Sequence, residues 1–403
     1  MKKIIFFLGA VFLATTVMAG GYQVRLQGNK QTGFGLVGTP MVYGASSNFY
    51  NPGSLSFMKK KWDFDLGASF ILSSVAFQKS ESNYQAESDN PVSTPFYFYG
   101  AFKINKLITV GLGVYTPYGS SAVWNDDWAG RLLIQNISLS AIFIQPTISF
   151  NINDKLGIGA GFVYAIGNIS LRKALNYSGD SYVDLEGKAS NIGFNVGLYW
   201  QALDNLSFGI DYRSAIKMSV TDGDATFSIP TALQGTLPPS NKFDAELPLP
   251  ANLDFGVAFN ATDKLTFALE VDWVMWSAYD TLSFKFKEKG ELLNSDNPRL
   301  YKDTFIPRLG IEYKVSDLIH VRGGFYYDPT PTNADYFSPE TVSLNNIAYT
   351  LGLSIMPVEG LSIDISWLQL FGQKADKNYS PDNFGGTYKN TAIVPGLGIS
   401  YSF

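Results

Sequence analysis

The side chains that most often perform catalysis or bind metal ions are scarce in this sequence. It has one histidine, His320, and no cysteine among 403 residues, which leaves little for metal sites or thiol chemistry. Its carboxylates instead recur at alternate positions of apolar stretches, as at Glu270 and Asp272. Charges spaced in this way are more typical of ion pairs on one face of a sheet than of a catalytic centre. We therefore predict no catalytic residues, no metal site and no cofactor.

A period of two residues runs through most of the chain after Trp62. Over residues 265–273, Leu, Phe, Leu, Val and Trp alternate with Thr, Ala, Glu and Asp. A soluble sandwich also alternates, but these strands are long, and their polar face carries acids, bases and glycines as a membrane-barrel lumen does. We expect the other charges on this face to pair and to hold whatever fills the lumen: Asp211, Arg213, Asp254, Arg308, Glu312, Arg322 and Asp364.

The first 19 residues predict a signal peptide. Lys2 and Lys3 precede an apolar run, and Val17-Met18-Ala19 has the small residues that signal peptidase requires at positions −3 and −1. The alternative, an N-terminal membrane helix, is disfavoured because the run is short and ends at a cleavage site. No later stretch approaches ~18 unbroken apolar residues, so the mature chain can span a membrane only as a closed barrel.

Six short polar turns set the predicted number of strands. Each leads into an apolar residue, and each interval between turns holds two strands and a longer loop. If both chain ends lie on the side of the short turns, six turns require seven loops and therefore a barrel of 14 antiparallel strands. The turns begin at Asn105, Asn153, Asp204, Thr262, Ser316 and Glu359.

The end of the chain and its net charge bear on location and partners. The last residue is Phe403, with Tyr401 and Ile399 at alternate positions before it, a pattern that the outer-membrane assembly machinery recognises in many barrels. A net charge of −5 favours neither nucleic acid nor an anionic surface as a partner. We expect a monomer in a bacterial outer membrane, in contact with lipid and lipopolysaccharide.

The segment Gly20–Lys61 has a different character from the rest of the chain. It is rich in glycine and has neither a period of 2 nor a period of 3.6, yet Phe34, Phe49 and Leu55 are among many side chains too apolar to stay in water. Such a segment needs an enclosing surface. We therefore predict three parts: a signal peptide (1–19), a hatch inside the lumen (20–61) and a barrel (62–403).

At this point the sequence resembles the long-chain fatty-acid transporter (FadL) family of outer-membrane proteins. Asn51-Pro52-Gly53-Ser-Leu is similar to the family's hatch motif Asn-Pro-Ala-x-Leu, with Gly53 in place of alanine. The other stretches that carry the resemblance are Gly21–Val24, Gly111–Gly119, Trp128–Arg131, Trp276–Tyr279 and Val321–Asp328. The resemblance implies a 14-stranded barrel with a hatch, passive uptake of hydrophobic molecules, a pocket near the hatch, and sideways release where the third strand kinks inward.

Two groups of residues are candidates for gating. Asn51, Pro52 and Gly53 correspond to the hatch motif, although asparagine before proline also favours a simple turn; without a Cβ at Gly53, we expect looser closure there. Gly111 and Gly113 lie on the predicted lumen face of the third strand. Glycine within a strand often marks a bulge or a close approach of backbone, which makes these two glycines our candidates for a lateral gate.

A fatty acid would need a cation to pair with its carboxylate. Arg299 and Lys302 lie where the tenth strand meets its outer loop, close to several apolar residues, and are our candidates, with ordinary surface solvation as the alternative. The sequence leaves the ligand open between a long-chain fatty acid, an aromatic hydrocarbon and another lipid. A barrel enzyme, a porin and an adhesin stay as less favoured functions, the enzyme because His320 lies beside a short turn rather than at the outer rim.

Overall fold

The fold is described from a computed structural model that covers residues 20–177, 180–231 and 237–403. The predicted signal peptide lies outside these residues. Within them, no helix is long and apolar enough to cross a membrane.

Most of the described chain is strand. The strands are β1 Trp62–Ser69, β2 Leu72–Lys79, β3 Gln85–Glu87, β4 Phe96–Lys103, β5 Ile108–Val123, β6 Asn136–Asn151, β7 Leu156–Ala174, β8 Tyr182–Leu203, β9 Leu206–Arg213, β10 Ile216–Ser228, β11 Ser240–Leu249, β12 Asn252–Asn260, β13 Leu265–Val274, β14 Thr281–Phe286, β15 Ser295–Pro298, β16 Thr304–Lys314, β17 Ile319–Asp328, β18 Asn346–Ile355, β19 Leu361–Gly372, β20 Ala375–Tyr379 and β21 Phe384–Ser402. The helices are α1 Asn29–Gly33, α2 Ser47–Tyr50 and α3 Gly290–Leu293, with 3₁₀ turns at Gly44–Ser46, Ser54–Phe57, Trp276–Ala278 and Ser380–Asp382.

These segments form 14 wall strands of one antiparallel barrel, as predicted. Six of the wall strands are interrupted, and each of these consists of two consecutive segments. The pairs of segments are β1 with β2, β3 with β4, β9 with β10, β11 with β12, β13 with β14, and β15 with β16. β20 is a loop strand that pairs with the start of β21. The barrel closes because β1 pairs with β4 on one side and with β21 on the other, so that the first and last wall strands are joined.

The sheet is apolar outside and polar inside. On β13, Glu270 and Asp272 are buried in the lumen, whereas Leu269 and Val271 point outward and are 55% and 40% exposed. A soluble protein would bury its apolar residues instead, so this inverted pattern requires a hydrocarbon solvent around the wall. The alternation read from the sequence is therefore confirmed, with the polar face inward.

Connections are short at one end of the barrel, the turn end, and long at the other, the loop end. Both Trp62 and Phe403 lie at the turn end, where Trp62 N donates to Phe403 O at 2.9 Å. Outward-facing aromatic residues cluster near both ends, as in the girdles that mark membrane interfaces. Trp62, Trp200, Phe208 and Tyr401 belong to the turn-end group, and Trp273, Phe305, Tyr349 and Phe371 to the loop-end group.

Candidate functional site

The N-terminal segment, Gly20–Lys61, packs against the inner face of the barrel wall. Its helix α1 contacts β17, β18 and β19, and its second 3₁₀ turn contacts β5 to β8. Glycines of the wall permit this close approach, since a Cβ on Gly310 would lie 2.5 Å from Phe34 O and one on Gly324 2.2 Å from Gly35 N. Phe34, Val37 and Leu55 are fully buried. The segment that seemed too apolar for water is therefore enclosed.

Asn51, Pro52 and Gly53 lie where the segment touches β7 and β8. Asn51 Nδ2 donates to Thr39 O at 2.8 Å and to Leu198 O at 3.0 Å, and Gly53 N donates to Asn51 Oδ1 at 2.9 Å. Asn51 thus joins two parts of the segment to the wall.

The structure shows close contact at Gly53, where looser closure than in relatives was expected. A Cβ at this position would lie 2.7 Å from Gly197 O and 2.8 Å from Gly157 O. The missing side chain therefore lets the backbone of the segment rest directly on the backbones of two wall strands. Contact is closer here because residue 53 is glycine.

A buried ion cluster, defined by Arg25, Arg308, Asp254, Glu270 and Asp272, joins the segment to the wall. Arg25 reaches Glu270 at 2.7 Å, Asp254 at 3.0 Å and Asp272 at 3.3 Å. Arg308 reaches Asp272 at 3.1 Å and Glu270 at 3.5 Å. Glu270 also accepts hydrogen bonds from Gly38 N and Thr39 N of the segment. Such shared hydrogen bonding offsets the cost of burying charge.

Other lumen charges also engage the segment, as the alternation predicted. Arg213 donates to Phe49 O at 2.6 Å, and its guanidinium lies 4.4 Å from the centre of the Phe49 ring. Lys30 of α1 lies 3.5 Å from Asp364. Arg322 pairs with Glu312 at 2.5 Å. The Arg322–Glu312 pair joins two wall strands, whereas Arg213 and Lys30 make contacts between the wall and the segment.

Gly111 and Gly113 face the lumen as predicted, but the ladder is regular at both. Gly111 pairs with Ala101 and Thr147, and Gly113 pairs with Tyr99 and Gln145. A Cβ on Gly111 would lie 2.2 Å from Asn48 Oδ1 of the segment. Gly111 therefore serves close packing against the segment, and the structure places no bend at either glycine.

The bend in β5 lies a few residues farther on, between Tyr115 and Tyr118, where the register shifts against β6. After this point the backbone of β5 forms hydrogen bonds with the N-terminal segment. Val24 N donates to Pro117 O at 2.7 Å, and Gly119 N donates to Tyr22 O at 2.9 Å. Sequence reasoning missed this position, although Pro117 could have indicated it, since proline cannot donate to a ladder and is confined to edges and bulges.

Beyond the bend the wall has an opening between its second and third strands, which we call the wall gap. Pairing of β4 with β5 ends at Tyr97 and Tyr115. Two further hydrogen bonds join Phe96 and Thr116: Phe96 N donates to Thr116 Oγ1 at 3.0 Å, and Thr116 Oγ1 donates to Phe96 O at 3.2 Å. The next contact is Asp89 N to Val123 O at 2.8 Å. In the described chain no backbone hydrogen bond joins residues 91–95 to residues 117–122; residues 93 and 95 bond to the first strand instead.

A cavity of about 510 Å³ connects the lumen with this gap. Its inner walls include Leu26 and Leu36 of the segment, and Ile306, Tyr326, Leu370 and Val394 of the barrel. Its outer rim includes Val92 and Phe96, which are 54% and 39% exposed on the lipid-facing side. One cavity is therefore lined both by residues of the lumen and by exposed residues beside the wall gap.

A second, narrower cleft leads from the cavity towards the loop end. Tyr118 and Leu139 line both spaces. The rest of the cleft is mostly aliphatic and aromatic, with Leu171, Leu185, Met218, Val220, Phe243 and Leu249 among its lining residues. On the opposite, turn-end side of the N-terminal segment lies a separate cavity of about 1090 Å³. The segment therefore lies between an apolar route from the loop end and an open space at the turn end.

Arg299 and Lys302 lie between β15 and β16 at the loop end, and neither lines the 510 Å³ cavity. Arg299 is 3% exposed and pairs with Glu340 at 2.6 Å. Burial lowers the pKa of the Arg299 guanidinium, but the nearby Glu340 carboxylate and tyrosines together raise it by more. The net effect is a raised pKa, so the group stays charged. Lys302 is exposed. The structure gives Arg299 a protein partner and leaves Lys302 in solvent.

A closed barrel with a lipid-facing apolar surface, and with a folded segment inside its lumen, defines a transport protein of the outer membrane. A family model described as "Outer membrane protein transport protein (OMPP1/FadL/TodX)" matches residues 10–403. The chain belongs to this family, whose members are transport proteins rather than enzymes.

The sequences of two relatives align with most of this chain. The long-chain fatty acid transport protein of Escherichia coli K12 is 20% identical, with 98% of this chain and 97% of the relative aligned. Outer membrane protein P1 of Haemophilus influenzae is 22% identical, over 83% of this chain and 81% of its own.

Two crystal structures share the fold. A Pseudomonas aeruginosa FadL homologue has a TM-score of 0.84 at 19% identity, covering 95% of this chain and 100% of its own. The Ralstonia pickettii toluene transporter TbuX has a TM-score of 0.73 at 18% identity, covering 93% of this chain and 98% of its own.

Proposed function

We propose that this protein imports hydrophobic compounds by passing them from the loop end, through the apolar cleft and cavity, and out sideways through the wall gap. The observation that carries the proposal is the cavity lined both by residues of the lumen and by exposed residues beside the wall gap. A porin would instead have a straight polar channel from one end to the other.

Sideways exit suits the chemistry of an apolar compound. A compound that leaves through the wall passes from an apolar cavity directly into hydrocarbon. It thereby avoids transfer into water, and that transfer would cost about 25 cal/mol per Å² of apolar surface. Two backbone groups beside the gap bond to the segment instead of the wall ladder, since Pro117 O accepts from Val24 N and Gly119 N donates to Tyr22 O. These two groups are therefore paired although the ladder is open at this point.

We further propose that residues 20–61 act as the hatch. The segment separates the cavity from the turn-end space, and its ion pairs and backbone contacts hold it in place. Under this proposal Asn51, Pro52 and Gly53 seat the hatch on the wall, and the gate is formed by the bend at Thr116–Pro117 rather than by Gly111 and Gly113.

The ligand class is open between two candidates. The printed names of relatives include a long-chain fatty acid transport protein, and those of structural neighbours include a toluene transporter. Both compounds are apolar enough for the cleft and cavity described above.

An uptake assay tests the proposal. Cells that lack their own member of this family would express this chain or carry an empty vector, and would be given radiolabelled long-chain fatty acid or radiolabelled toluene. We expect this chain to raise uptake of at least one compound several-fold. If a correctly assembled barrel raised uptake of neither, hydrophobic import would not be its function.

A further inference from the structure

We infer that the cavity takes uncharged hydrophobic molecules and discriminates against carboxylates, because the cations that line it are already neutralised by the protein. This inference deepens the proposed function and rests on it. It separates the two ligand classes that the family leaves open, and it is drawn from the charges that line the cavity and the cleft.

Arg25 and Arg308 are the only cationic side chains that line the cavity within the described residues. Both belong to the ion cluster, where three carboxylates face two guanidiniums. All five groups are buried. The cluster therefore has a formal excess of negative charge and offers no guanidinium without a carboxylate partner.

Asp328 is the one carboxylate among the described residues that line the cavity. It is 5% exposed, and its Oδ2 accepts a hydrogen bond from Gly20 N at 2.8 Å. Its Oδ1 is buried and has no hydrogen-bond partner in the described chain. A Cβ on Gly20 would lie 2.5 Å from this Oδ1, so only glycine fits against the carboxylate at this point.

The predicted cleavage after Ala19 changes the chemistry of this contact. Cleavage there would make Gly20 N the α-amino group of the mature protein, which is largely protonated at neutral pH. An ammonium has three protons to donate, enough for both oxygens of Asp328. The amide contact at 2.8 Å then becomes an ion pair, and a third cation beside the cavity also has its own carboxylate.

Within the described residues, the cavity and the cleft thus offer no cation free for a ligand. Three cations pair with four carboxylates in or beside the cavity lining, and the only charged side chain that lines the apolar cleft in the described chain is Glu246. A bound carboxylate would be a further negative charge without a cation to pair with, which is unfavourable away from bulk water. An alcohol or a hydrocarbon of the same length incurs no such cost.

The test compares two ligands that differ only in charge. Detergent-solubilised mature protein is dialysed to equilibrium against radiolabelled 1-decanol or decanoate at about pH 7, where an α-amino group is still largely protonated, with protein-free micelles as the blank. Intact mass establishes that the chain begins at Gly20. We expect decanoate to bind at least about tenfold more weakly than decanol, a difference of about 1.4 kcal/mol.

An Asp328→Asn variant tests the role of the α-amino group. Asparagine keeps the hydrogen-bond acceptor but removes the charge, so the Gly20 ammonium becomes available to a ligand carboxylate. Decanoate binding should rise about tenfold while decanol binding stays unchanged. Asp335→Asn is the matched control, because this exposed loop residue changes the net charge equally and lies away from the cavity lining.

The outcomes separate the inference from the proposed function. Decanoate bound by the unchanged protein as tightly as decanol, or equal decanoate binding by Asp328→Asn and Asp335→Asn, would overturn the inference. A mature chain that begins elsewhere than Gly20 would overturn the proposed ion pair. If neither ligand bound the assembled protein at all, the proposed function would fail as well.

Discussion

Arg25 is the residue on which the position of the N-terminal segment most depends. Its guanidinium contacts three buried carboxylates of the wall. Removing one member of a buried ion cluster leaves uncompensated charge at a cost of about 3–5 kcal/mol. We therefore expect Arg25→Gln to loosen the segment and to produce frequent current openings in planar bilayers, where the unchanged protein should be nearly silent.

Lys60→Gln is the matched control for this prediction. Lys60 belongs to the same segment and pairs with Glu359 at 2.5 Å, but both side chains are exposed, and exposed pairs add little to stability. Openings that were equally rare in Arg25→Gln and Lys60→Gln would show that the ion cluster does not hold the segment.

For single residues, the sequence predicted which side chains face the lumen wherever a strand has a period of two. It placed Glu270, Asp272 and Arg308 on the lumen face because strands alternate. It could not identify Arg25 as their partner, since the segment that carries Arg25 has no period. The same limit applies to Arg299, whose pairing with Glu340 depends on how two loops pack.

The N-terminal segment is the element whose removal should change behaviour most. Without residues 20–61, the lumen of the wall would be lined by polar side chains such as Asp254, Asp272 and Arg308, with nothing between the loop end and the turn end. Barrels with a few more strands already enclose water channels. We expect deletion of these residues, with the signal peptide kept, to give a steady conductance in planar bilayers. Silent bilayers with a correctly assembled barrel would show that the segment is not the plug.

The strands themselves were largely predictable, and their interruptions were not. Alternation and the six short turns gave the 14 wall strands, because both signals are local. The bend in β5 was expected at Gly111 and Gly113 but lies between Tyr115 and Tyr118. It depends on hydrogen bonds to Tyr22 and Val24, which are distant in sequence, so Pro117 was the one local indication.

The orientation of the whole barrel gives a further prediction. Short turns face the periplasm in outer-membrane barrels, so cysteines introduced singly at Asn153 and Ser316 should resist a membrane-impermeant thiol reagent on intact cells. A cysteine at Asp335, on a loop-end connection, should react. The chain contains no other cysteine, so the background is clean. Labelling at Asn153 or Ser316 on intact cells would reverse the assigned orientation.

For the whole molecule, we propose that a ligand leaves through the wall gap. A Gly119→Trp variant tests this exit most directly. Gly119 lines the cavity at the gap, and a Cβ there would meet only Leu139 O, at 3.4 Å. An indole should therefore fit without disturbing the strand and fill the exit. Gly323→Trp is the control, since this glycine of β17 also has room for a Cβ but lies away from the cavity lining.

The measurement is the rate at which cells take up the labelled compound that the unchanged protein imports, with heat-modifiability on gels as the check on assembly. We expect Gly119→Trp to lower uptake to the empty-vector rate, and Gly323→Trp to keep the rate of the unchanged protein. Full uptake by a correctly assembled Gly119→Trp barrel would contradict exit through the wall gap.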